Sequence, residues 1–180
     1  WSQTSLGPIS EWPQHLRIKV NSIVNSPIPQ VLMWGPDHVM IYNDGYTEIA
    51  GNYHPHALGG TVNGIWPEIW DWNEKILEAG FRGEVQSFRD QKMVLNRNGM
   101  PEEVVFDLFY TPIHNDAGTV DGVLCTVLEN TDKVKDVQQL AESRENLMAS
   151  NNRFRAAVEA VHGVLWTNSP DGRMLGEQTG

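Results

Sequence analysis

Residues 103–128, EVVFDLFYTPIHNDAGTVDGVLCTVL, decide the fold class. Glu103 to Ile113 is one long extended run, Asn115-Asp116-Ala117-Gly118 is turn chemistry, and Val120 to Leu128 is a second run. A side-chain period of two places Val123, Cys125 and Val127 on one face of that second run. Two such runs joined by a short Asn/Asp/Gly turn make an antiparallel pair. Just upstream, Asn96-Arg97-Asn98-Gly99 is another turn, and Glu84 to Leu95 alternates loosely, so a third strand precedes the pair and the three run as a meander.

Working outward, the first part of the chain is helical and then extended. Ser10 is placed to cap a helix with Pro13 in its first turn, and Leu16, Val20, Ile23 and Val24 recur at helical spacing up to Ser26-Pro27. Val31 to Trp34 and Val39 to Tyr42 are two short strands around Gly35-Pro36-Asp37-His38. Asn43-Asp44-Gly45-Tyr46 caps a short helix ending near Gly51, and His56 to Gly83 carries its apolar residues on short helices. The order is helix, two strands, short helices, three strands. This is α+β, with a five-stranded antiparallel sheet that must have one face covered.

The chain has 180 residues, of which 40% are hydrophobic, enough for one domain and a remainder. It has one cysteine, which excludes an intrachain disulfide framework and a cysteine-based metal cluster and fits a reducing, cytoplasmic compartment. A net charge of −10 argues against nucleic acid as a partner, and no apolar run reaches the length of a membrane span. The absence of an initial Met suggests a piece excised from something longer. Residues 131–162 lack Pro and Gly and read as one helix. Beyond it Pro170-Asp171-Gly172-Arg173-Met174-Leu175 repeats Pro36-Asp37-His38-Val39-Met40-Ile41, and strands are expected at 164–167 and 172–176.

Several stretches in order and spacing carry a resemblance: Trp1 to Pro8, Trp34-Gly35-Pro36, Tyr42-Asn43-Asp44, His54 to Gly59, Trp66-Pro67-Glu68-Ile69-Trp70, Arg97-Asn98-Gly99, Tyr110 to Ile113 and Gly122 to Cys125. Together they resemble a bacterial sensory PAS domain of the kind found at the front of multi-domain sensor histidine kinases. The resemblance implies a PAS fold, a five-stranded antiparallel sheet with flanking short helices around a small pocket. The expected organisation is a cap segment and helix over 1–30, a PAS sensor over 31–130, a linker or signalling helix over 131–162, and the truncated start of a second PAS domain over 163–180. Glu129-Asn130-Thr131 sits where such domains carry an Asp-aliphatic-Thr exit motif; only Thr131 matches it fully.

The linker helix has a heptad-like row, Leu140, Leu147, Phe154 and Val161, beside a half-apolar row that includes Val137 and Val158. These residues are expected to pair two copies of the chain in parallel, with the N-terminal helix contributing to the homodimer and a downstream output domain receiving the signal.

Candidate chemistry is sparse. His54 and His56 lack the further ligands a metal needs, and Trp70 to Phe81 has no histidine for haem. The Asn-Cys-Arg-Phe motif of blue-light PAS domains is absent, so non-covalent flavin stays open, between Trp66 and Trp70, and the cofactor is otherwise unknown. No hydrolase elbow, P-loop or zinc-protease motif occurs, and no catalysis is expected of this chain. What remains is binding, by a small-molecule ligand or a partner domain. The expected pocket lining is Met33, Ile41, Tyr46, Trp66, Trp70, Phe88, Phe109, Val123 and Cys125, with Asp107 as the ligand-reading residue if its row on the 104–111 strand faces inward. The rival readings are a flavin-bearing redox or light sensor and a ligand-free dimerisation module.

Overall fold

Pro13 sets the start of the first helix. Its extended ψ of 151° separates a single 3-10 turn, Ile9–Glu11, from α1, Gln14–Val24. Ser10 thus lies inside the turn and is not the helix cap; Pro13 takes that position, where a missing N–H disturbs no helical hydrogen bond. The chain enters α1 with Trp12 and Leu16 buried, and Asn25 ends it ahead of Pro27.

In this computed structural model, residues 1–162, 167–168 and 174–175 are described, with side chains to residue 160. It divides into two units, Trp1–Asp132 and Lys133–Gly180. In the first, β1 (Gln30–Trp34) and β2 (Val39–Tyr42) form a hairpin, with Gly35 at φ +68° and His38 at φ +52° giving the left-handed turn it needs. Three helices follow, α2 (Gly45–Ala50), α3 (Val62–Ile65) and α4 (Trp70–Phe81), and then β3 (Gln86–Leu95), β4 (Glu102–His114) and β5 (Val120–Glu129). The sheet is antiparallel, in the order β2-β1-β5-β4-β3, so the last strand enters between the first hairpin and the meander.

The pleat divides the apolar residues into two cores. On one face Met33, Met40, Phe106, Leu108, Tyr110, Val123, Cys125 and Val127 meet α2, α3 and α4. On the other, Leu32, Trp34, Ile41 and Ile113 meet Trp12, Leu16 and Ile23 of the N-terminal segment. Helix α4 comes so close to β5 that a Cβ on Gly80 would lie 2.8 Å from Val123 Cγ2. Only glycine allows that approach, and it seals the main core at that end.

Strand β3 carries a bulge. Phe88 faces Leu108 and Gln91 faces Phe106, so three steps on β3 match two on β4. The extra residue changes the phase of the alternation, and Met93 and Leu95 therefore join Phe88 on the inner side. Asp90 holds a left-handed φ of +48° at the bulge.

Helix α5 (Thr131–His162) follows β5, with its first two residues in the first unit and the rest in the second, where β6 (Thr167–Asn168) pairs antiparallel with β7 (Met174–Leu175). Of the strands expected at 164–167 and 172–176, the remaining positions, like the rest of 163–180, lie outside the described residues, as does the side chain of Val161. Among the described residues no helix is long and apolar enough to cross a membrane.

Candidate ligand cavity

The inner core encloses a cavity of about 50 Å³. β1 and β2 contribute Val31, Met33 and Met40, α2 contributes Tyr46 and Ile49, and the α3–α4 segment contributes Trp66, Ile69 and Asn73. Phe106, Leu108 and Tyr110 of β4 and Cys125 and Val127 of β5 form its floor, and Met93 and Leu95 its edge. The walls are apolar except for one cluster. Tyr110 Oη lies 3.5 Å from Asn73 Oδ1, the Cys125 thiol faces Tyr110, and the Trp66 indole N–H faces Tyr46 Oη.

Burial dominates the electrostatics of this cluster. It raises both phenols, Tyr46 and Tyr110, far above the ordinary tyrosine range, and it pushes the Cys125 thiol up to about 12. All three are neutral at any physiological pH. Cys125 is therefore an inert core thiol, and the cluster is a set of neutral donors and acceptors in which Tyr110 and Asn73 stand 3.5 Å apart. Such a set can hydrogen-bond a small guest.

Of the expected lining residues, Met33, Tyr46, Trp66 and Cys125 surround the cavity. Val123 belongs to the same core but packs against Gly80, and Trp70 and Phe88 pack against that core from outside the cavity wall. Trp70 faces His38, while Phe88 stands edge-on to Trp72 and Tyr110. Ile41, Asp107 and Phe109 are corrections. Ile41 follows Met40 and so points to the N-terminal core. Asp107 and Phe109 lie on the outer face, because Phe106, Leu108 and Tyr110 take the inner one. There Asp107 accepts hydrogen bonds from Arg89 Nη1 at 2.8 Å and from the Asp90 backbone N–H at 2.9 Å. These bonds hold its carboxyl below the usual range, and Arg89 lies over the Phe109 ring at 4.6 Å. Asp107 clamps the β3 bulge, on the sheet face opposite the cavity. Met40, Ile49 and Asn73 were not foreseen; strict alternation through Met40-Ile41-Tyr42 would have singled out Met40.

A second constellation lies where β5 passes into α5. The buried Arg97 guanidinium donates to both Glu102 oxygens at 3.0 Å and to the Glu129 oxygens at 2.7 and 2.9 Å. Thr131 Oγ1 donates to Glu129 Oε1 at 2.8 Å and accepts from the Val105 N–H at 3.0 Å. The bonds to Glu129, then those to Glu102, raise the Arg97 pKa further. The Arg97 carbonyl in turn accepts from the Asn52 N–H at 2.9 Å, just after α2, and a Cβ on Gly51 would lie 2.9 Å from that oxygen.

No protein-family model matches the sequence, and a search of curated proteins found no match. Solved structures do match. The PAS domain of Bordetella pertussis BvgS is 16% identical, with a TM-score of 0.53 over 74% of this chain and 99% of that one. A LOV protein of Rhodobacter sphaeroides is 17% identical, with a TM-score of 0.51 over 65% of this chain and 68% of that one. An RNA-binding light-oxygen-voltage receptor is 18% identical, with a TM-score of 0.51 over 82% of this chain and 42% of its own. The fold is that of PAS and LOV domains. A flavin does not fit the cavity: pockets for ligands of that size span roughly 300–1,000 Å³, against about 50 Å³ here. Among the described residues no group of three metal-ligating side chains occurs.

Proposed function

We propose that this chain is the sensory part of a signalling protein, binding a small molecule in the inner cavity and relaying its presence to α5. The observation that carries the reading is the apolar cavity with its cluster of neutral polar groups, Tyr46, Trp66, Asn73, Tyr110 and Cys125. The Tyr110–Asn73 pair, at 3.5 Å, stands at the limit of a hydrogen bond, and a guest or water that completed it would relieve the cost of a poorly met buried group. The relay runs through Arg97, whose backbone meets the end of α2 and whose guanidinium holds Glu129 beside Thr131.

The helix it reaches leaves Val137, Leu140, Leu147 and Phe154 exposed, with Leu140 at 72% and Phe154 at 69%. A row of that kind at heptad spacing supports pairing of two copies along α5, with Ile18 and Val24 of α1 as a second exposed apolar strip. In this reading the parent is a cytoplasmic bacterial sensor, a histidine kinase in its commonest form, and catalysis resides outside this chain. The second unit then begins another PAS module.

The test uses the three methionines on the cavity wall. With methyl-labelled methionine, xenon or a small amphipathic binder should shift Met33, Met40 and Met93 and leave Met100 and Met148 in place. If neither xenon nor any member of a broad small-molecule library moves the three, the cavity is closed packing and the ligand-free dimerisation reading replaces this one.

A further inference from the structure

Asn73 is the polar exception on the buried side of α4. Its neighbours there, Ile76, Leu77 and Ala79, are apolar, and it is itself only 6% exposed. An asparagine buried on such a face gives up the apolar burial of a leucine, so its amide needs polar partners. Among the described residues its side chain has one, the Tyr110 hydroxyl, which donates to Oδ1 across 3.5 Å. The NH2 group donates to none of them. Among the described residues, the only unpartnered side-chain atom shut off from open space is Glu68 Oε2. Asn73 Nδ2 therefore meets open space, and Asn73 lines the cavity.

We propose that the ligand is a small uncharged carbonyl compound, its oxygen accepting from the Asn73 NH2 group and its alkyl part packing on the apolar walls, which rests on the cavity being a ligand site. Three observations choose this class. The first is a surplus of protons. Trp66, Tyr46 and Tyr110 each bring one and the Asn73 amide two, against one oxygen on each of Tyr46, Tyr110 and Asn73. The Trp66 N–H already faces Tyr46 Oη, so the Tyr46 hydroxyl proton too is left to donate. Protons outnumber oxygens whichever way the Asn73 amide is turned, so the guest must accept and gains nothing from a proton of its own. Second, no lining residue carries a charge, and an ion would leave water for a site with nothing to balance it. Third, a cavity of roughly 150 Å³ holds benzene, so one of about 50 Å³ takes a guest of about three or four heavy atoms.

The experiment titrates the full chain with acetone, 2-propanol, acetate and isobutene, which share one branched skeleton and differ in polarity. Binding is read by the methyl signals of Met33 and Met93, and the hydrogen bond by the side-chain NH2 signals of Asn73. Acetone should bind more tightly than 2-propanol, and acetate should not bind. Acetone should move an Asn73 NH2 proton downfield, and isobutene should not. Asn73→Leu should lower the ratio of acetone to isobutene affinity by about fivefold or more, the worth of one hydrogen bond. An unchanged ratio in Asn73→Leu, 2-propanol binding as tightly as acetone to the wild type, or isobutene binding while acetone does not, overturns the assignment and leaves the cavity a binding site. If none of the probes, nor xenon, moves the methionine methyls, the cavity reading fails and takes this one with it. Should Asn73→Leu fail to fold, the wild-type order of affinities and the NH2 shift decide.

Discussion

At the scale of the residue, Asp107 shows how one carboxylate can shape a cavity that it does not touch. It is buried on the outer face, yet its two bonds to Arg89 and Asp90 hold the β3 bulge, and that bulge turns Met93 and Leu95 inward. Its pKa is depressed, so the folded chain holds the proton less tightly than the unfolded one. The clamp's contribution is complete above the ordinary carboxylate range, about pH 4, and is lost as pH falls through the lower native value. Asp107→Asn should cost about 1–2 kcal/mol at neutral pH, discounted because Arg89 is largely solvent-exposed. The variant should also lose less stability than the wild type on acidification. Urea melts at neutral pH and near pH 3 measure both, and coincident curves for the two proteins would show that the clamp stabilises nothing. The sequence left the orientation of Asp107 open for a physical reason. Both rows of β4 carry aromatics, Phe106 and Tyr110 on one and Phe109 on the other, so hydrophobicity did not choose the inner face. The choice depends on Arg89 being brought opposite by the bulge, an irregularity that appears in the sequence only as a loose alternation.

At the scale of the element, regular pieces were legible and their joints were not. The hairpin, the meander, the short helix ending at Gly51 and the long helix over 131–162 each follow from turn residues or periodicity, and the structure has them all. The start of α1 was misplaced because a proline can stand either in the first turn or just before it, and ψ at Pro13 decides which. The contact between α4 and β5 was invisible, since it depends on Gly80 meeting Val123, far along the chain. Helix α5 poses the clearest question for experiment. It is polar over most of its surface and its exposed apolar residues fall in a row, which gives an isolated helix of that length little to pack against. If two copies pair along it, Leu147→Asp places two like charges in the seam and should shift the chain from dimer to monomer in sedimentation velocity, with the first unit still folded. A variant dimer as tight as the wild type would move the interface elsewhere, to α1 or the outer sheet face.

At the scale of the whole molecule, Arg97 ties the surroundings of the cavity to the start of α5. Tyr46 and Ile49 line the cavity from α2, the chain after α2 is pinned to the Arg97 carbonyl, and the Arg97 guanidinium holds Glu129 next to Thr131. A guest that displaces α2 must either carry Arg97 with it or break the Asn52 bond, and moving Arg97 alters the bonds that fix the first residue of α5. Buried ion pairs of this kind rarely add much net stability, because desolvating the guanidinium consumes most of the attraction. Their consequence is geometric: the guanidinium has good partners in only one arrangement. Arg97→Met removes the tie and leaves Glu102 and Glu129 facing each other, both partly exposed, at a cost of about 2–4 kcal/mol. It leaves every cavity-lining side chain in place. The expected outcome is a dissociation: a bound guest still shifts the Met33, Met40 and Met93 methyls, while hydrogen exchange in the first turn of α5 no longer changes on binding, as it does in the wild type. A first turn that responds equally in Arg97→Met would mean that the signal leaves the cavity by another route, the direct one being β5 itself, where Cys125 and Val127 line the cavity only a few residues before Thr131.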